Sequence, residues 1–170
     1  IPGMAVAVSQ HGTLLYSQGF GHANLEEQLP ATAQTMFRLA SVSKLLTIAA
    51  IARLTQAGKL DLHAPIETYL PDYPHAGRGI TTKMLCGHLA GIRHYKAKDV
   101  LSNTKHFDTT DEALKTFIKD DLIHDPGSAY RYTTFGFVLL QGIVEAASGQ
   151  TFLDYLSKEV LEPLDMHRTL

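Results

Sequence analysis

The chain has 170 residues, 45% of them hydrophobic and 19% charged, which suits one domain and excludes a disordered or low-complexity protein. Fifteen Lys and Arg against seventeen Asp and Glu leave a formal charge of −2. No basic block could follow a phosphate backbone, which argues against nucleic acid as a partner, and the single Cys86 excludes an internal disulfide framework and a cysteine-rich zinc site.

Met4 to Ser9 and Leu14 to Gly19 are short apolar runs on either side of Gln10-His11-Gly12-Thr13, a pattern that predicts a β-hairpin. Polar residues and Pro30 then lead to Met36-Phe37-Arg38-Leu39-Ala40. Ser41 to Gln56 reads as a helix closed by Gly58. Apolar residues on nearly every face of its middle (Leu45, Leu46, Ile48, Ala49, Ile51, Ala52) predict burial on most sides. Leu45 to Ala52 is the longest strongly apolar stretch. It is far short of the roughly 20 residues a bilayer needs, so no transmembrane segment is expected. No signal or transit peptide is visible, and the start at Ile1 predicts that the natural N-terminus lies upstream.

Lys59 to Pro74, with Pro65, Pro71 and Pro74, reads as an ordered connection. Thr81 to Leu89 predicts a short helix ending at Gly91, and Lys96 to Phe107 a polar loop. Thr109-x-x-Glu112 is a capping box opening a helix to about Lys119. Pro126-Gly127 marks a turn. Thr133 to Ala147 predicts a second buried helix stopped by Ser148-Gly149, and Thr151-x-x-Asp154 opens a further helix to about Leu161. There is no internal repeat. A hairpin followed by helices indicates an α+β fold rather than alternating β/α units.

Ser-x-x-Lys occurs twice, as Ser41-Val42-Ser43-Lys44 and as Ser102-Asn103-Thr104-Lys105. On a helix, positions i and i+3 share a face, so the amine can approach the hydroxyl. A lysine withdrawn from water gives up its proton more readily and can then serve a serine as base. Ser41 begins an apolar helix whose N-terminal N–H groups favour developing negative charge; its competing reading is an ordinary N-cap. Ser102 lies among polar residues, where a solvated loop is expected. In Ser128-Ala129-Tyr130-Arg131-Tyr132-Thr133-Thr134, a tyrosine just before a buried helix could place its phenol at a pocket wall. Near a lysine cation that phenol could shuttle protons; otherwise it simply packs. The nine histidines show no ligand spacing. His88 and His94 match neither HExxH nor a zinc finger, so a structural or surface role and no metal are expected. Gly-x-Ser-x-Gly, P-loop and Gly-x-Gly-x-x-Gly motifs are all absent.

Taken together these segments resemble the serine β-lactamase and penicillin-binding-protein superfamily, in its class C-like branch. IPGMAVAVSQHG is similar to the family's first strand and turn, and FRLASVSKLLT to the nucleophile segment. AGKLDLHAPIETYLP resembles the stretch that follows, and HLAGI the HTSGI-like segment. PGSAYRYTTFGFVLLQGIVEAASG is similar to the Tyr-x-Asn region, and LEPLDMHRT to the PLGM-type segment. GIRHY resembles the mitochondrial β-lactamase-like serine protease subgroup and its bacterial relatives.

The resemblance implies an antiparallel sheet flanked by helices plus a mainly helical region. It implies Ser41 as acylated nucleophile, Lys44 as its base or proton relay, and Tyr132 as proton shuttle to the leaving group. Tyr130 would pack, and the Ser41 N–H would supply one oxyanion donor. Thr134 falls on the family's Asn, exchanging an amide for a shorter hydroxyl at a substrate-binding position. No Lys-Thr-Gly or His-x-Gly strand motif follows Tyr132. The expectation is therefore one incomplete domain over 1–170. Residues 1–60 would hold the hairpin and nucleophile helix and 61–170 the mainly helical region, with closing strands missing and the stretch inactive alone. The implied activity is a serine hydrolase forming an acyl-enzyme on amide, peptide or ester bonds. Its substrate would be a small molecule or peptide, with no cofactor; the oligomeric state stays open. A non-catalytic binding or scaffold protein, and a true β-lactamase or D-alanyl-D-alanine carboxypeptidase, remain as alternatives. An extracytoplasmic location is favoured, with a mitochondrial one as the alternative.

Overall fold

The hairpin begins the chain because its turn residues accept a conformation most residues avoid. His11 and Gly12 have φ of 49° and 78°, the left-handed pair whose twist matches the strands of a two-residue hairpin. They join β1 (Gly3–Gln10) to β2 (Thr13–Asn24) in antiparallel register, with a bulge where Val8 pairs Tyr16 and Ser9 pairs Leu14. A short β3 (Leu29–Pro30) pairs with β2. The computed structural model describes residues 1–97, 99 and 105–169. They form two compact units, Ile1–Leu39 and the remainder from Ala40 onward.

In the second unit, α1 (Ser43–Gln56) follows a 3-10 turn at Ala40–Val42. Its end is a Schellman motif. Gly58, at φ 68°, donates to the Thr55 carbonyl, and the Lys59 N–H reaches back 2.9 Å to that of Leu54. Contrary to the expected burial on most sides, α1 buries one stripe, Thr47, Ala50, Ile51 and Leu54, while Leu45 is 69% exposed. The apolar residues do encircle the helix, but the stripe at helical spacing is buried deepest, with Leu46, Ile48 and Ala49 only partly buried against the core.

Three short helices open on threonine caps, two of them as the capping patterns predict, and the one after Thr81 ends at Cys86 rather than Leu89. Thr81, Thr109 and Thr151 each accept a backbone N–H from three residues on, starting α2 (Thr82–Cys86), α3 (Thr110–Leu114) and α5 (Phe152–Leu156). The last continues through a π-type turn at Ser157–Leu161. α3 stops well short of Lys119, because the chain turns after Leu114 and carries Asp120 to an arginine elsewhere. Between them α4 (Phe135–Ser148) is the hub, packed by α1, α2, α3 and α5. Leu139, Leu140, Ile143 and Val144 on α4 are fully buried, and burial of each such side chain stabilises by about 1.5–3 kcal/mol. Among the described residues no helix is long and apolar enough to cross a membrane. The second Ser-x-x-Lys pattern begins at Ser102, which lies outside the described residues.

Candidate active site

Ser41 sits in the middle of the 3-10 turn, directly after Ala40 at φ 46°. That left-handed conformation costs a residue with a Cβ about 1 kcal/mol or more. Ser41 therefore precedes α1 rather than opening it. Val42 occupies the cap position and no side chain caps the helix, so the Ser41 hydroxyl is not consumed by an N-cap bond. Lys44, half-buried in the first turn of α1, donates from Nζ to Ser41 Oγ at 3.3 Å and to Thr134 Oγ1 at 3.3 Å. The Tyr132 hydroxyl donates to the same Ser41 Oγ at 2.7 Å. Lys44 Nζ also lies 5.0 Å from the Tyr132 ring centroid and 5.4 Å from that of Phe137. Ser41, Lys44, Tyr132 and Thr134 thus form one cluster, although about 90 residues separate its two halves.

The electrostatics of the cluster act on the phenol. Hydrogen bonding with Lys44, then with Ser41, holds the Tyr132 hydroxyl below the ordinary tyrosine range, outweighing its partial burial. Among the described residues, no carboxylate bonds to any of the four side chains. Tyr130 stands apart, 62% exposed with its ring edge against His88.

The stretch carrying Tyr132 and Thr134 has no regular structure and is held by the loop His88–His94. Arg131 N–H donates to the His88 carbonyl at 3.0 Å, and the buried Thr133 hydroxyl to the Arg93 carbonyl at 2.7 Å. Thr133 N–H donates to His88 Nδ1 and Thr134 N–H to His94 Nδ1, each at 3.2 Å. The two imidazoles also flank the Tyr132 ring, His88 tilted at 4.6 Å and His94 edge-on at 5.5 Å. Within this loop Gly91 has φ 77°, and a Cβ there would lie 2.3 Å from the His124 carbonyl oxygen, so only glycine fits.

Arg93 anchors the same loop from inside. Its guanidinium is 6% exposed, pairs with Asp99 at 2.7 Å and with Asp120, and lies 4.8 Å over Phe135, itself stacked on Phe117. Burial alone would lower the Arg93 pKa, but the bonds to Asp120 and Asp99 outweigh it and hold the group charged. For His88 and His94 the sequence pointed to a structural or surface role, and it did not single out Arg93. All three lie in the HLAGI and GIRHY segments around Gly91, from which no spacing rule reads a positioning role.

Other features carry less chemistry. Among the described residues no group of three or more His, Cys, Asp or Glu could hold a metal ion. Burial pushes the Cys86 thiol up to about 11, which makes it a poor nucleophile. A cavity of about 980 Å³ is bordered by Phe107, Phe135, Glu145 and Phe152 and by none of Ser41, Lys44 or Tyr132.

A serine hydroxyl shared by a lysine and a tyrosine, on a hairpin-plus-helices chain, defines a class of fold and site that known proteins share. Residues 1–170 match the Beta-lactamase family, and the chain belongs to that family. It is 32% identical to the human mitochondrial serine beta-lactamase-like protein LACTB, over 99% of this chain and 43% of the relative. The chain thus spans less than half the length of that relative. Among solved structures, a penicillin-binding protein from Bacillus halodurans superimposes with a TM-score of 0.85 at 30% identity, covering 96% of this chain and 50% of the other. EstCE1, described as a hydrolase with promiscuous acyltransferase activity, does so at 0.83 with 27% identity, covering 97% and 47%.

Proposed function

We propose that the protein is a serine hydrolase acting through an acyl-enzyme on amide, peptide or ester bonds. The observation that carries the reading is Ser41 Oγ, 2.7 Å from the Tyr132 hydroxyl and 3.3 Å from Lys44 Nζ. In this scheme Ser41 Oγ attacks the substrate carbonyl carbon and its proton passes to Tyr132, which the Lys44 ammonium assists in the phenolate form. Tyr132 then gives that proton to the departing amine or alkoxide, the bond to the leaving group breaks, and an acyl-Ser41 ester remains. Water attacks the ester, Tyr132 takes its proton and returns one to Ser41 Oγ. The Ser41 N–H would face the oxyanion. Thr134 accepts from Lys44 at 3.3 Å, keeping the amine between the two hydroxyls and leaving the threonine at the edge of the substrate position.

The family match and the likeness to EstCE1 support this reading over a non-catalytic scaffold. The test is a fluorophosphonate probe on the full-length protein, with the modified peptide identified by mass spectrometry. Modification of Ser41 that vanishes in Ser41→Ala is expected; labelling that survives the substitution removes Ser41 from the role. Nitrocefin turnover by the same protein separates a β-lactamase from a peptidase or esterase, a choice that pocket shape decides.

A further inference from the structure

We propose that His88 and His94 are paired positioning residues for Tyr132 and Thr134, and that the hydroxyl cluster stays assembled only while both imidazoles are neutral. The inference rests on the hydrolase reading for its kinetic consequence, but its physical basis is independent of it. The backbone N–H groups of Thr133 and Thr134 are consecutive donors at the entry of α4, where the helix offers them no carbonyl. Each is accepted by an imidazole Nδ1 at 3.2 Å. A ring nitrogen accepts only when it carries no proton, so each neutral ring bears its hydrogen on Nε2. Protonating either ring would set an N–H against a backbone N–H at that distance, and the bond would be lost. Tyr132 directly precedes Thr133, and its ring contacts both imidazoles. Release of Thr133 and Thr134 therefore moves the phenol away from Ser41 Oγ and the Thr134 hydroxyl away from Lys44.

The surroundings keep both rings uncharged. Lys44 on α1 is the charged group facing them; Tyr130 and Tyr132 approach His88, and Tyr95 and Tyr132 approach His94. Among the described residues no carboxylate bonds to either ring. Burial first, then the Lys44 charge, hold both below the ordinary imidazole range, and for His88 the neighbouring His94 adds to this. The pair therefore stays neutral at neutral pH and charges only on acidification.

Asparagine separates positioning from mere packing, because its Oδ1 can take the acceptor place of Nδ1 but cannot be protonated in this range. In the full-length protein, fluorophosphonate acylation of Ser41 is followed from about pH 8 down to about pH 5. His88→Ala and His94→Ala are expected to slow it by about tenfold to a hundredfold, the scale of a misplaced catalytic group. His88→Asn and His94→Asn are expected to restore most of that loss at about pH 8. The double Asn variant should lose less rate on acidification than the parent. Alanine variants that acylate at the parental rate, or a double Asn variant that follows the parental pH profile, would overturn the proposal. If the parent's Ser41 is not modified at all, the hydrolase reading fails, and the histidine assignment is decided without activity. In 15N-histidine spectra of the full chain, assigned through the two Asn variants, both rings should carry hydrogen on Nε2 alone at about pH 8. A ring protonated on Nδ1 there contradicts the proposal.

Discussion

The two arms of the hydroxyl cluster are held in place by different physics. Ser41 and Lys44 arrive on one continuous stretch, where the helical period and the left-handed Ala40 set their spacing. Tyr132 and Thr134 arrive on an irregular stretch, fixed by hydrogen bonds from a loop some 40 residues earlier in the chain. The first arm is local and needs few partners. The second depends on side chains that never touch the reacting atoms. Damage to the first arm should be chemical, and damage to the second positional.

Substitutions can break this contrast. Lys44→Ala should cost several orders of magnitude in the acylation rate of Ser41, since it removes the ammonium that favours the Tyr132 phenolate and groups acting as a unit lose activity together; a loss below about tenfold would remove Lys44 from the chemistry. Tyr132→Phe keeps the ring contacts with the two imidazoles and deletes only the hydroxyl, and a loss of about a hundredfold to ten-thousandfold is expected. In the second arm, Arg93→Leu removes the buried cation that pairs with Asp99 and Asp120. It should destabilise the protein by about 3–5 kcal/mol in denaturant unfolding, although Arg93 touches no reacting atom. A loss below about 1 kcal/mol would show that the loop is held without the ion pairs.

Smaller effects sharpen the same contrast. The Tyr132 phenol lies below its ordinary value of about 10. Its phenolate, and with it acylation, should therefore appear at lower pH than an ordinary tyrosine would allow. Ultraviolet titration of tyrosinate in the parent against Tyr132→Phe reads that midpoint directly, and Lys44→Met should move it back up toward about 10. Ala40→Gly removes a Cβ from a left-handed residue. Relief of that strain opposes the added freedom of the unfolded chain, so a stability change within about 1 kcal/mol is expected in thermal unfolding.

Local signals made much of this fold legible. The His11-Gly12 turn, the threonine caps at positions 109 and 151, and the glycine stops at 58 and 149 each act within a few residues, and each fell where the pattern indicated. Ser41 and Lys44 were visible for the same reason. Tyr132 and Thr134 became candidates through resemblance, and their approach to Ser41 is a tertiary fact. Periodicity misjudged α1, since apolar character does not say which face meets a neighbour, and it overran α3, whose end answers to the distant Arg93. The roles of His88 and His94 were out of reach, because their partners are backbone N–H groups about 40 residues away. Spacing rules address ligands of a common ion, not rings that serve as acceptors for another segment.

The buried arginine has one more consequence, for ionic strength. Arg53–Glu159 and Arg78–Asp125 lie at the surface, where dissolved salt screens charges over about 8–10 Å and such pairs fade. The Arg93 guanidinium, stacked on Phe135 and closed in with Asp99, is shielded from those counterions. Dilute buffer and strong brine should therefore meet the same arrangement of Tyr132 and Thr134, while the periphery of the molecule responds to the difference.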